Sequence, residues 1–514
     1  MSFIVEQKNK GKIYLYKATN YWDKDKKQSR QKREYIGPKN KDKKSDLNLC
    51  STDIRSRIFG TSYFLSHIAH ELGLPQIVKN IFPEDYNEIL ALAYYDICEA
   101  QPQYLFHYWQ QENFLAEIKV LDSKTISSLY QKLGKSDALR LDFFSKWIEH
   151  LNPIEAVYYD ITSISSYSGL NEMVEPGYNR DNENLSQINM GVVCCQHNSL
   201  PVYYNPYQGS IVDVTTLKNC MEYLRQFGIK RILLMLDRGF FSCANIKALN
   251  EPENKFDFIQ PVPMTVKKAR ELYTKHHKQL QDTQNAFMYN NDLLYYCKTE
   301  LQYADDIFDA HLYYDEATYL AQKQNFLCDL LTFENQLKNQ SYQNRKDFIS
   351  YKNTDMPAKF RAFFKWNRTE QKVEKDTNKI KKHLSERGKF LLISNRKNLN
   401  STIVLDYYRM KDRVEKLFDI IKNEMDTERV RTHSNYNTEG KLFIRFIALI
   451  IYSKISDTMK QKELFDKFTI KELLCELKKI KHIQIGNNNP IYSEVSKRQK
   501  TIFNAFNINW DKIA

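Results

Sequence analysis

Residues 407–426 read YYRMKDRVEKLFDIIKNEMD. An α-helix turns by about 100° per residue, so the spacing predicts one amphipathic helix here. Taking Val414 as the origin, Met410, Leu417, Phe418, Ile421 and Met425 fall within roughly 60° on either side, a stripe that faces a core. Tyr408, Lys411, Glu415 and Lys422 fall in a narrow polar band along its margin, where core meets solvent. Two readings of that band stand open. It is a solvated flank in which Lys411 and Glu415 form an i,i+4 ion pair, or it is one side of a site whose other parts lie elsewhere in the chain.

Length and charge narrow the choice. A chain of 514 residues has room for several domains and a large core. Lys and Arg number 76 against 63 Asp and Glu, a formal charge of +13, which favours a polyanionic partner, nucleic acid before membrane. Residues 1–45 carry fourteen Lys/Arg and five Asp/Glu, so +9 of that charge sits at one end. KIYLYKATNYW and QKREYIGP in this segment are aromatic and strand-like, which predicts a basic β-hairpin in contact with the polyanion rather than a solubilising tail. The nine cysteines form no CxxC pair and no Cys/His ladder of zinc spacing, so they read as reduced core thiols. The start MSFIVEQKNKGK lacks an apolar targeting core. FIRFIALIIYSKI, the most apolar late run, contains Arg445 and is too short to cross a bilayer. A soluble cytoplasmic protein without membrane contact is expected.

Texture divides the chain further. Residues 46–150 read as mostly helical, with SYFLSHIAHELGL and NEILALAYYDICEA showing apolar residues at three- and four-residue spacing. From 151, EAVYYDITSIS, INMGVVCCQ and LPVYYNPY read as three successive strands, followed by the helical TTLKNCMEYLRQFG and the buried strand IKRILLMLDRGF. Residues 263–385 mix strand-like runs with charged helical ones and read as an insertion, after which GKFLLISN returns to strand texture. The expected organisation is a basic strand-rich segment over 1–45 and a helical domain over 46–150. An α/β core follows in two parts, 151–262 and 386–460, separated by the insertion 263–385, with a helical region over 461–514.

Asp160 and Asp237 each lie on or just after an apolar strand. Sites in α/β sheets collect at the carboxyl edges of strands, and a helix packed on the sheet brings Glu415 to the same edge. Carboxylates so gathered need a cation, and an oxygen-only donor set points to Mg²⁺ or Mn²⁺. Two such ions suit in-line phosphoryl transfer.

In these residues the chain resembles the DDE transposases of bacterial insertion sequences, in the cut-and-paste, insertion-sequence-four-like branch whose third acid lies in a Tyr-x2-Arg-x3-Glu-x6-Lys helix. Tyr408, Lys411, Glu415 and Lys422 match that spacing, with Lys411 standing where the family has Arg. The apolar strand ending Asp160-x-Thr, the stretch LLMLDRGFFSCANI around Asp237, and YQGSIVDVTTL between them are similar to the family's other motifs. The resemblance implies a ribonuclease-H-like core interrupted by an insertion. It implies Asp160, Asp237 and Glu415 as catalytic residues and ligands of two Mg²⁺ ions, with Mn²⁺ able to substitute. It implies DNA-phosphate contacts from Tyr408, Lys411, Lys422 and Arg238. It also implies double-stranded DNA as partner and substrate, a homodimer in the DNA complex, and a place in the bacterial cytoplasm at the nucleoid. A catalytically silent descendant that only binds DNA, and a structure-specific nuclease on the same core, remain as alternatives. Asp213 reads as a turn or cap residue, His197 and His433 carry no expected catalysis, and Trp22 and Trp366 read as core or surface anchors.

Overall fold

The computed structural model describes residues 2–9, 12–23, 26, 28–38, 54–99, 101–177, 184–211, 213–229, 232–251, 256–340, 342–420, 422 and 429–510. The chain divides into two compact units, Met1–Arg55 with Ile483–Pro490, and Ser56–His482 with Ile491–Ala514.

In the first unit the basic segment forms three antiparallel strands where a hairpin of two was expected: Ser2–Asn9, Lys12–Asp23 and Gln28–Pro38, paired in chain order. Cross-strand partners share a face. Phe3, Ala18 and Arg33 align on one face together with Val5, Tyr16 and Tyr35, while Ile4, Lys17 and Glu34 lie on the other. Tyr35 packs against Tyr14 and Tyr16 at ring-centroid distances of 5.9 and 5.4 Å. Ala18 is buried, but Phe3, Ile4, Tyr21, Trp22, Tyr35 and Ile36 remain exposed, so the strands leave broad aromatic and basic surface open.

The second unit begins with helices, among them Gly60–Glu71, Tyr86–Cys98, Ser123–Lys135 and Asp137–Leu151. Next comes a mixed sheet. Its strands lie in the spatial order Pro201–Gln208, Gln187–Cys195, Ala156–Ser166, Leu233–Leu236, Asp257–Val262, Lys389–Ser394, Asp306–Asp315, Asp292–Tyr303 and Ala286–Tyr289. The three central members, Ala156–Ser166, Leu233–Leu236 and Asp257–Val262, run parallel to one another, and their apolar runs are buried as parallel strands require.

Residues 263–385 divide between two environments. The strands over 286–315 extend the central sheet beyond Lys389–Ser394. The helices Glu316–Lys338 and Arg345–Thr354, with the strand pair Phe364–Asn367 and Lys372–Lys375, close around a smaller core of Leu330, Phe333, Phe348, Met356, Phe360 and Phe363. Strand composition marked the first group as strands, but nothing local names the partner to which an edge strand adds.

One helix joins the helical domain to the sheet. Asn435–Gln461 is apolar nearly all round and therefore buried. Its Phe443 lies 5.5 Å from Phe82 and 5.1 Å from Phe143, while Phe446 lies 5.4 Å from Phe144 and 5.0 Å from Tyr204. Arg445, which argued against a membrane span, is buried beside Asp96 at 3.8 Å. Among the described residues no helix is long and apolar enough to cross a membrane. The helix crosses Ser123–Lys135 at backbone contact, because a Cβ on Gly440 would stand 2.0 Å from the Tyr130 carbonyl oxygen. Backbone cannot yield as a side-chain tip can. Gly440→Ala is therefore expected to destabilise the second unit by about 1–3 kcal/mol, read as a lower urea midpoint, and an unchanged midpoint would contradict this close crossing.

Candidate active site

The parallel ladder sets the first two acids side by side. Ala156 pairs with Leu233 and the register runs to Tyr159 opposite Leu236, where the shorter strand ends. One step further on each chain are Asp160 and Asp237, neighbours by register. Asp160 does not end its strand: Ala156–Ser166 continues, held by antiparallel pairing that sets Asp160 opposite Val192. Among the described residues the parallel edge is taken up again by Arg429–Val430, opposite Ser165 and Ser166. Asp160 thus lies where the sheet opens. Its Oδ1 accepts the Ile161 N–H at 2.8 Å.

The third acid arrives on a helix that is not continuous. Over its described part, the single helix expected over 407–426 is two, Ser401–Arg409 and Asp412–Asp419, with a tightened turn at Met410 and Lys411 and a wider turn beginning at Ile420; Ile421 and Met425 of the expected stripe lie outside the described residues. In a regular helix the Lys411 N–H would bond the Tyr407 carbonyl. Here that carbonyl accepts the Tyr158 hydroxyl at 2.5 Å, and the Lys411 N–H turns to the Tyr408 carbonyl at 3.1 Å. A side chain inserted into the ladder kinks the helix. Tyr158 belongs to the Asp160 strand, so the strand that bears the first acid also positions the turn that bears Lys411.

Lys411 is the centre of the site. Its Nζ lies 2.5 Å from Asp237 Oδ1 and 3.2 Å from Glu415 Oε1, so the i,i+4 pair is real and is half of a bridge between two acids. Burial pushes the Asp237 carboxyl up, but the Lys411 charge and hydrogen bond, with the Arg238 and Gly239 N–H groups, outweigh it and hold the carboxyl below its usual range. Lys411 is the reciprocal case: burial pulls it down, and Asp237, then Glu415, carry it well above the ordinary lysine value. Tyr408 is half-buried with its ring stacked on Phe390 at 6.3 Å, and burial raises its hydroxyl against the pull of Lys411. Lys422 is half-buried beyond Asp412–Asp419, and Arg238 is exposed in the turn after Asp237.

Asp237, Lys411 and Glu415 are therefore in contact, with Asp160 next to Asp237 by register. Among the described residues no three His, Cys, Asp or Glu side chains converge closely enough to hold a metal ion as they stand. The Lys411 ammonium stands between Asp237 and Glu415. Elsewhere, Asp213 opens the helix Asp213–Gln226, and only its backbone is described. Trp366 packs on the small insertion core, Trp22 is 63% exposed on the N-terminal strands, and His197 and His433 are exposed. Tyr158 and Arg409 escaped the sequence reading, Arg409 because the helical wheel turned it away from the band that the break brings it beside.

Two outcomes follow from this geometry. Tyr158→Phe removes the inserted hydroxyl and is expected to cost about 1 kcal/mol in urea unfolding, whereas a zero cost would mean that the hydroxyl does not hold the turn. Lys411→Met tests the bridge through pH. Asp237 is held low, so its pairing stabilises above the ordinary carboxylate pKa of about 3.9 and is lost as pH falls through its lower folded value. Lys411 is held high, so its contribution is full below about pH 10.4 and is lost as pH rises through its folded value. The stability gap between wild type and Lys411→Met should be flat from about pH 5 to 9 and narrow in strong acid. A gap that widens in acid would contradict the pairing.

Comparison with known proteins places the chain. No curated protein sequence matches it. A solved structure, described as a cryo-EM structure of a piggyBac transposase synaptic complex with hairpin DNA, is similar over 82% of this chain and 75% of that one, at 10% identity and a TM-score of 0.33. The model of the transposase DDE domain matches residues 152–451, the span that holds Asp160, Asp237, Lys411 and Glu415. That match covers more than half of the sequence, and the chain belongs to the transposase DDE domain family.

Proposed function

We propose that the chain is the transposase of a bacterial insertion sequence, cutting the element free at its ends and joining the released 3′-hydroxyls to target DNA. The observation that carries this reading is the bridge of Lys411 between Asp237 and Glu415, beside Asp160 in register on the neighbouring strand. The family supports DNA strand cleavage and transfer in general. The motif spacing around Tyr408, with Lys411 in the Arg position, supports the Tyr-Arg-Glu-Lys branch.

Asp160, Asp237 and Glu415 would hold two Mg²⁺ ions, with Mn²⁺ as substitute. The donor chemistry fits: all ligands are oxygen, Asp237 is held ionised, and the Glu415 side chain, paired with Lys411, is 55% exposed. Bound there, such ions supply Lewis-acid activation of the attacking oxygen and charge neutralisation at the leaving one. The chain's own residues do the rest. Lys411 compensates the acids before substrate arrives and then turns to a phosphate of the DNA end. Tyr408, Lys422 and Arg238 hold neighbouring phosphates, and the three basic N-terminal strands add sequence-independent affinity for the duplex. Two copies acting on two element ends give a homodimer in the DNA complex, in the bacterial cytoplasm at the nucleoid.

A labelled duplex spanning the DNA that flanks the gene tests the reading. Replacing Asp160, Asp237 or Glu415 by Ala is expected to abolish metal-dependent cleavage, at least 1,000-fold by the order of magnitude of lost catalytic electrostatics, while leaving duplex binding measurable. Any single variant that cuts at the wild-type rate leaves the triad. Cleavage without joining would instead mark a structure-specific nuclease, and binding without cleavage by the wild type a silent descendant. Deleting residues 1–45 should flatten the dependence of log K on log salt, and an unchanged slope would reduce the segment to a solubilising arm.

A further inference from the structure

Beside Asp237 lies a cleft of about 500 Å³ that the three acids do not explain. Its walls come from the turn after the Asp237 strand, the end of the helix Ser401–Arg409, and the return of the insertion into the strand Lys389–Ser394. Four cations converge on it, Arg238, Arg387, Lys389 and Arg409, against the carboxylates of Asp315 and Glu386. Asp315 is largely engaged. Its side chain caps the helix Glu316–Lys338, accepting the Thr318 N–H at 2.8 Å and hydroxyl at 2.7 Å, and meets Arg409 Nη2 only at 3.3 Å.

Arg409 Nε is buried without a hydrogen-bond partner, and the guanidinium lies 5.4 Å over the Phe390 ring. Lys389 is half-buried 5.5 Å over Tyr273, and burial lowers its pKa against the pull of Glu386. The backbone of this wall is closely packed: Gly388 sits at φ +68°, and a Cβ there would stand 2.6 Å from the Asp315 carbonyl oxygen. Like charges drawn together out of bulk water repel, and an entering anion relieves them. Guanidinium forks and an ammonium on aromatic faces suit phosphate. The cleft is also continuous with the candidate active site, since Arg238 follows Asp237 and Tyr408 lies one turn before Lys411. A strand with its reacting phosphate at Asp237 would run on into it.

We propose that this cleft is a second phosphate-binding site, in which Arg387, Lys389 and Arg409 hold the DNA backbone flanking the reacting bond. It rests on the DNA-cutting reading above and assigns the returning end of the insertion a direct part in holding the substrate strand.

The test is a salt titration of binding to the gene-flanking duplex by wild type, Lys389→Gln, Lys389→Arg and the double variant Arg387→Gln/Lys389→Gln. Each lost phosphate contact should lower the slope of log K against log salt by about 1, so the double variant loses about 2, Lys389→Gln about 1, and Lys389→Arg none. Neutral methylphosphonates placed singly along each strand give the second readout. One next to the cut should weaken the wild type and cost the double variant less. Should the double variant melt early, Lys389→Gln carries the same comparison alone. An unchanged slope in a folded variant, or equal methylphosphonate effects in both proteins, overturns the cleft while leaving the DNA-cutting reading intact. Failure of the wild type to bind or cut the duplex overturns that reading and the cleft with it.

Discussion

Carboxylates gathered at one sheet edge repel, and in this chain the cation that permits their approach is a lysine. Lys411 reaches Asp237 at 2.5 Å and Glu415 at 3.2 Å, so it ties a residue of the sheet to a residue of the helix above it. The contact is partly buried, with side-chain exposures of 23% for Lys411 and 33% for Asp237, where water screens it less than at an open surface. Removing the ammonium would leave two acids facing each other, with the Arg238 and Gly239 N–H groups still favouring the Asp237 charge. The ion pair is therefore a condition of the site's assembly, and under the proposed function the same acids would take divalent cations once it moves aside.

The rest of the fold brings that pair together. Parallel pairing ends at Leu236, which sets Asp237 level with Asp160. Tyr158 then enters the helix ladder at Tyr407 and forces the turn from which Lys411 projects. The far end of that helix is anchored on the extended part of the sheet, where the Tyr313 hydroxyl bonds the Ser401 carbonyl at 2.6 Å and the His311 ring meets the Ser401 hydroxyl at 2.8 Å. Buried His311, its pKa pushed down by burial to about 4, stays neutral at this contact. Strands contributed by residues 263–385 thus align the helix that carries Tyr408, and the insertion belongs mechanically to the core.

Much of this was legible in the chain. Apolar runs closing on Asp160 and Asp237 read as two strands of one α/β sheet, and the charged band with Glu415 lay at the edge of an apolar stripe. The helix break was not legible. No Gly or Pro interrupts 407–420, and the cause is a tyrosine about 250 positions earlier. The same holds for Arg387, which follows the charged stretch TEQKVEKDTNKIKKHLSE, and for Lys389, which opens the strand-like run GKFLLISN: nothing local shows that both line one cleft with Arg409. Residues 286–315 looked like part of a separate body because strand composition does not specify which sheet a strand joins.

The account rests on Lys411 occupying the place between acids that a divalent cation would share. Titrating Mn²⁺ into wild type, Asp237→Asn and Lys411→Met, with free and bound ion distinguished by electron paramagnetic resonance, addresses this directly. Binding should weaken at least tenfold in Asp237→Asn, which loses a ligand, and strengthen in Lys411→Met, which loses the competing ammonium. Equal Mn²⁺ affinity in wild type and Asp237→Asn, or weaker binding in Lys411→Met than in wild type, would contradict it.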